Sequence, residues 1–196
     1  MYTTSKDIII KAKKGGYAVP AFNCENLEMV QAIIAAAEET KSPVLLQTTP
    51  STVKYLTLRQ AYAMVKAEAD AASVPVSLHL DHCESYEGVC DALDAGYSSV
   101  MIDASKLPFD ENIALTAKTV AEAHRRGIPV EAELGTVGGK EDSRSASIAY
   151  TDPDQALEFY NKTGIDIFAV AIGTAHGFYK GEPKLDFALL EKIAGM

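Results

Sequence analysis

The sequence predicts an α/β fold, a (β/α)8 (TIM) barrel with about six of its eight βα units present in this chain. Two observations carry that expectation. Short apolar runs alternate six times with longer amphipathic stretches, and every run delivers a polar side chain at its C-terminal end. The alternation implies a parallel sheet with helical crossovers. In an open doubly wound sheet only the loops at the switch point converge on a ligand, whereas in a barrel every strand exit faces one mouth. Six exits carrying chemistry-bearing groups therefore favour the barrel.

The runs are "YAVPAF" (17–22), "PVLLQT" (43–48), "PVSLHL" (75–80), "YSSVMID" (97–103), "IPVEAEL" (128–134) and "DIFAVAI" (166–172). They are rich in β-formers, too short for helices and nearly continuous in apolarity, as strands buried on both faces are. Between them, "ENLEMVQAIIAAAEET" places Leu27, Val30, Ile34 and Ala37 on one helical face. "DENIALTAKTVAEAHRRG" begins acidic and ends in Arg125, Arg126 and Gly127, the polarity a helix dipole favours. "TDPDQALEFYNKTG" offers a cap, Pro153 in the first turn and Gly164 as the stop. The segment 135–151, "GTVGGKEDSRSASIAYT", is long, polar and glycine-rich, and reads as a functional loop. No linker or low-complexity stretch divides the chain, so residues 1–196 read as a single partial barrel domain.

Composition excludes several classes of function. The 196 residues are 47% hydrophobic and 23% charged, ordinary for a globular protein able to bury a core. A formal net charge of −9 argues against a nucleic-acid partner, which would want a basic face. No apolar run approaches the length of a membrane span, and "MYTTSKDIII" lacks the apolar segment of a signal peptide. Three cysteines, Cys24, Cys83 and Cys90, with no CxxC spacing, fit a reducing cytoplasm.

The exit residues are Asn23, Gln47 with Thr49, Asp81 with His82, Asp103, Glu133, and His176. Two imidazoles on different strands with carboxylates nearby suit a divalent metal such as zinc, whose catalytic sites take three protein ligands and keep one position open. His82 and His176 are the candidates, with Asp103, Glu133 and His79 in reserve. Asp81, beside a ligand, is placed to shuttle a proton to or from a substrate hydroxyl; its bland alternative is an N-cap for the helix starting near Ser85. In "GTAHGFYKG", Gly173 and Gly177 allow close backbone approach, and Lys180 offers a point charge to a phosphate. None of the fourteen lysines falls inside the six apolar runs, so a Schiff-base mechanism has no candidate there.

These residues resemble a known family. "GYAVPAFN", "SPVLLQTTP", "HLDHCES", "SVMIDAS", "PFDENI", "VEAELGTVGGKED", "YTDPDQA" and "AVAIGTAHGFYKGEPKLDF" are similar, in order along the whole chain, to segments of the class II, metal-dependent ketose-bisphosphate aldolases. That family includes the fructose-1,6- and tagatose-1,6-bisphosphate enzymes. The resemblance implies reversible aldol cleavage to dihydroxyacetone phosphate and glyceraldehyde 3-phosphate, with zinc stabilising the enediolate and Asp81 exchanging the hydroxyl proton. It implies His82 and His176 as zinc ligands, and Asp103 and Glu133 as carboxylates for a second or displaced cation, divalent or monovalent. Gly177 and Lys180 are implied for the phosphate pocket and Thr49 for a position near the substrate, with Asn23 beside it. Glu141, on the glycine-hinged loop, is the implied acid at the enediolate carbon, with Asp142 as its rival. Family members are cytoplasmic homo-oligomers acting on sugar phosphates.

The family's third zinc histidine follows a seventh strand, whereas His79 and His124 are the only other histidines here. "FALLEKIAGM" is read as the helix leading into that strand, and the chain as the N-terminal three-quarters of a family barrel. The first and sixth strands are then expected as unpaired edges, and zinc as weakly held by two histidines. Two rivals are an inactive fragment or accessory subunit of an aldolase complex, and a metal-dependent hydrolase on the same barrel. The hydrolase would want His-x-His where "HLD" has Asp81. "GTAHG" and "KLDF" lean toward the tagatose enzymes, "ELGTVGG" and "YKGEP" toward the fructose ones.

Overall fold

Helix α1 (Ser5–Gly15) leads into strand β1 (Ala21–Asn23), and α2 (Leu27–Glu39) returns to β2 (Val44–Thr48). Two helices follow, α3 (Pro50–Leu56) and α4 (Leu58–Ala71), before β3 (Val76–Cys83). Then α5 (Tyr86–Ala95), β4 (Ser99–Ile102), α6 (Phe109–Arg125) and β5 (Val130–Leu134) continue the alternation. A hairpin, β6 (Gly138–Glu141) and β7 (Arg144–Ala146), precedes α7 (Pro153–Thr163), β8 (Ile167–Val170), the short β9 (Ala175–His176) and α8 (Phe187–Ala194). This computed structural model describes residues 1–141, 144–146, 149–179 and 181–196, with only the backbone of 140, 141 and 144–146.

Six strands pair in the parallel order β1-β2-β3-β4-β5-β8, and the helices between them pack on one face. This is an incomplete (β/α)8 barrel, with β1 and β8 as the open edges expected from the sequence. Side chains alternate across each strand. The even-numbered positions Val44, Leu46, Val76, Leu78, Leu80, Val100, Ile102, Val130 and Ala132 join the core that the helices cover. The odd-numbered positions, among them Gln47, His79, Asp81, Ser99, Met101, Glu131 and Glu133, therefore face the barrel interior. Helix α1 underlies the N-terminal strand ends: Ser5 is fully buried and its Oγ donates to Ser99 Oγ at 2.7 Å.

Helix boundaries follow local chemistry. Asp152 accepts a hydrogen bond from the Gln155 amide at 2.9 Å, Pro153 opens α7, and Gly164 ends it in the left-handed region at φ 69°. Helix α6 carries Asp110 and Glu111 in its first turn and His124 and Arg125 in its last, as its dipole favours. Among the described residues, no helix is long and apolar enough to cross a membrane.

Four expectations need correction. Leu27 is 41% exposed, because α2 starts there and its buried stripe is Val30, Ile34 and Ala37. The first strand is shorter, running over 21–23 instead of 17–22. Strand β3 does not stop at Leu80 but continues through Cys83. Segment 135–151 is not all loop: β6 pairs antiparallel with β7 and parallel with β9, a small sheet that includes His176.

Phe159 anchors the α6–α7 side of the sheet. It is fully buried, stacks on Phe168 with ring centroids 5.4 Å apart, and lies 6.4 Å from the Phe109 ring. Phe159→Ala is expected to lower the unfolding free energy by about 3–5 kcal/mol, read from urea unfolding curves.

Candidate active site

Strand β3 positions two neighbouring residues that a regular strand would separate. Its register against β4 pairs Leu80 with Val100 but Cys83 with Ile102, so one extra residue bulges out of β3. His82 sits in the left-handed region at φ 49°, unusual for a side chain with a Cβ. Such a backbone costs about 1–3 kcal/mol. Its effect is geometric: Asp81 and His82, consecutive in sequence, both line the same cleft of ≈ 400 Å³.

His82 is held by a carboxylate on the next strand. Its Nδ1 lies 2.8 Å from Asp103 Oδ2, while Asp103 Oδ1 accepts from the Ser105 amide at 3.2 Å and from the Ser105 hydroxyl at 2.7 Å. Burial pushes the Asp103 carboxyl up, but the bonds from His82 and Ser105 outweigh it and hold the group well below the usual carboxylate range. A ligand atom each from His82, Asp103 and Glu133 lies within 4.8 Å of the others. One imidazole nitrogen and two carboxylates form a donor set that suits zinc or a harder divalent cation. The His176 ring stands beside this group, its centroid 5.3 Å from that of His82 at an interplanar angle of 72°. Two histidines separated by 94 positions thus meet at one rim.

His176 reaches the rim through the small sheet. Gly139 pairs with His176 and has φ 93°, and a Cβ there would overlap the His176 carbonyl and amide. The glycine pair of "TVGGK" is the sequence signal for this approach. Gly173 works similarly. A Cβ there would meet the Lys184 carbonyl at 2.5 Å, so its lack of a side chain serves chain packing at this point. Gly177 lies at φ 77°.

Asp81 is buried and tied to the neighbouring strands. Gln47 Nε2 donates to Asp81 Oδ2 at 2.7 Å and to Asn23 Oδ1 at 2.9 Å, linking three strand exits. Ser85, not Asp81, caps α5, accepting from the Gly88 amide at 3.1 Å. Thr49 is 2% exposed and caps α3, accepting from the Thr52 amide at 3.5 Å. Lys180 and Asp142 lie outside the described residues, as does the side chain of Glu141.

Two residues gain a prominence that the sequence reading did not give them. Gln47 orients Asp81. Glu131 lines the cleft, and the alternation of "VEAEL" should have placed it on the face of Glu133. Burial, then the neighbouring negative charges of Asp81 and Glu133, push the Glu131 carboxyl up to about 7 despite the opposing effect of His82. A larger groove of ≈ 690 Å³ along β1 and α2 is lined by none of these acidic or imidazole groups.

The sequence matches the family model described as fructose-bisphosphate aldolase class-II over residues 3–196. The chain belongs to that family. It is 50% identical over 191 residues to a probable fructose-bisphosphate aldolase of Bacillus subtilis, covering 95% of this chain and 67% of that relative. It is 50% identical over 192 residues to the fructose-bisphosphate aldolase of Geobacillus stearothermophilus, covering 96% of this chain and 67% of the relative. Among solved structures, the YdjI aldolase of Escherichia coli K12 superposes with a TM-score of 0.88 at 40% identity, covering 98% of this chain and 69% of that one. A putative fructose-1,6-bisphosphate aldolase of Coccidioides immitis gives 0.89 at 34% identity, covering 96% and 68%. The chain is thus shorter than the aldolases it matches, and zinc dependence is general in this family.

Glu131 sets a pH signature. Its folded value of about 7 lies above the ordinary 4.5, so the unfolded chain ionises first and folding is penalised from about pH 4.5 upward. The penalty is complete above about pH 7, on the order of 3 kcal/mol. In the presence of a chelator, Glu131→Gln is expected to raise stability at pH 8 far more than at pH 4, measured by urea unfolding at both.

Proposed function

We propose that this chain performs metal-dependent, reversible aldol cleavage of a ketose 1,6-bisphosphate, fructose 1,6-bisphosphate by preference, to dihydroxyacetone phosphate and glyceraldehyde 3-phosphate. The observation that carries the reading is the shared cleft of Asp81, His82, Glu133 and His176, with Asp103 bonded to His82. The preference for fructose rests on the names of the bacterial relatives.

His82 and His176 would hold a catalytic zinc, with Glu133 and Asp103 at hand for it or for a second cation. Zinc bound there supplies Lewis-acid stabilisation of the negative charge that grows on the carbonyl half as the carbon–carbon bond parts. Asp103, accepting from His82, fixes the imidazole plane and raises its basicity. Asp81 takes the proton of the substrate hydroxyl as that oxygen becomes the aldehyde, and returns it in the synthetic direction. Gln47 supports this role by donating to Asp81 Oδ2, which orients the carboxylate and favours its ionised, proton-accepting form. Glu141 is assigned the proton transfer at carbon, and Gly177 and Lys180 the phosphate. Asn23, through Gln47, and Thr49 border the substrate.

Residues 1–196 act as one partial barrel domain in this reading. Three cysteines with no CxxC spacing fit the cytoplasm, and the open edges at β1 and β8 offer apolar surface for contact between copies. Those same edges favour a second reading, a barrel piece that serves an aldolase complex without turning over substrate itself.

A coupled assay for triose phosphate separates the two. Asp81→Asn is expected to lower cleavage about 100-fold or more while zinc affinity holds. Wild-type activity unaffected by this change would overturn the assignment, and no activity at all would favour the accessory reading. Stripping metal with a chelator should abolish cleavage and zinc should restore it. His82→Ala should weaken zinc binding about tenfold or more by calorimetry.

A further inference from the structure

We infer that Ser5 and Ser99 lock His79 into the neutral tautomer that carries its proton on Nε2, making His79 a positioning residue for the Asp81 and Glu131 carboxylates and removing it from the metal-ligand set. The inference deepens the proposed function and rests on it only for the role of Asp81.

Ser5 Oγ donates to Ser99 Oγ at 2.7 Å, and Ser99 Oγ lies 2.7 Å from His79 Nδ1. Ser99 is fully buried and has one hydroxyl proton. If His79 carried its proton on Nδ1, Ser99 Oγ would accept twice and its own hydrogen would point into a buried site with no acceptor. Such an orphan costs about 1–3 kcal/mol. The described residues leave no buried side-chain nitrogen or oxygen without a partner. The satisfied arrangement runs one way: Ser5 donates to Ser99, Ser99 donates to Nδ1, and the ring proton sits on Nε2.

That proton faces the cleft. Nε2 is 3.6 Å from Glu131 Oε2 and 4.0 Å from Asp81 Oδ1. Both distances exceed a hydrogen bond, but in a buried site an N–H dipole aimed between two carboxylates favours negative charge on either. Burial also holds His79 neutral, its value pushed down to about 3 with a further contribution from His82. With Nδ1 occupied as an acceptor and Nε2 protonated, the ring presents no lone pair to a cation. A line of polar contacts therefore runs from α1, at the far end of the barrel, to the residue proposed to handle the proton.

The test is spectroscopic. In protein with 15N-labelled histidine, the long-range proton–nitrogen spectrum at neutral pH distinguishes protonated from bare ring nitrogens, with His79 assigned by its loss in His79→Gln. Expected are a protonated Nε2 and a bare Nδ1 in the wild type, unchanged when zinc is added. A proton on Nδ1, or a His79 signal that shifts to a metal-bound position with zinc, would overturn the inference. Zinc calorimetry gives the second arm: His79→Gln should keep the wild-type Kd within about twofold, and a loss as large as that of His82→Ala would refute the exclusion from the ligand set. Neither measurement depends on turnover, so failure of the cleavage assay would remove the role of Asp81 and leave the tautomer assignment standing.

Discussion

The end of β3 holds one residue more than the β4 segment it pairs with, and the candidate site is organised around that extra residue. In a regular strand Asp81 would face the interior and His82 the helices. The bulge, with His82 at φ 49°, turns both toward one cleft. A buried carboxylate and an imidazole thereby become neighbours at the cleft with almost no chain between them. The backbone strain is offset locally: Asp103, fixed by Ser105, holds His82 in the strained position. Parallel pairing of β3 with β4 supplies the scaffold for that bond.

The cleft is crowded with negative charge. Asp81, Glu131 and Glu133 line it together, while Asp103 reaches His82 from the rim. The chain answers the crowding in three ways: hydrogen bonds to Asp103, the Gln47 amide on Asp81, and a raised proton affinity at Glu131. A divalent cation would relieve the same repulsion. The electrostatics of the carboxylate cluster and the metal dependence of the family therefore point the same way.

Much of this was legible in the sequence, and the reasons differ from residue to residue. Val76, Leu78 and Leu80 announce a strand by their apolar continuity, and Pro153 with Gly164 brackets a helix by backbone chemistry alone. His82 and His176 could be paired in advance because a barrel brings every strand exit to one mouth. The bulge could not be read, since no proline or glycine marks it and its cause is the pairing with β4. Hairpin β6–β7 was hidden by its polarity: glycine and charged residues read as loop until β9 supplies a parallel partner. Glu131 is implicit in the alternation of "VEAEL", but it stands one pleat below the strand exit, where Glu133 already carries the polar group. His79 was held as a spare ligand, and only the position of Ser5, from a helix not foreseen at the N-terminus, gives its ring a direction.

Each central strand carries two kinds of information on alternate residues. Outside the bulge at the end of β3, even positions such as Val44, Leu78 and Ala132 belong to the helix-covered core, while odd positions such as Gln47, His79 and Glu133 form a largely polar interior. Replacements in the two sets therefore meet different neighbours. An inward replacement can retune reactivity without loosening the helices, and an outward one can shift melting without touching the reacting groups. A barrel so divided keeps most of its packing residues and most of its reactive groups on opposite sides of the same strands.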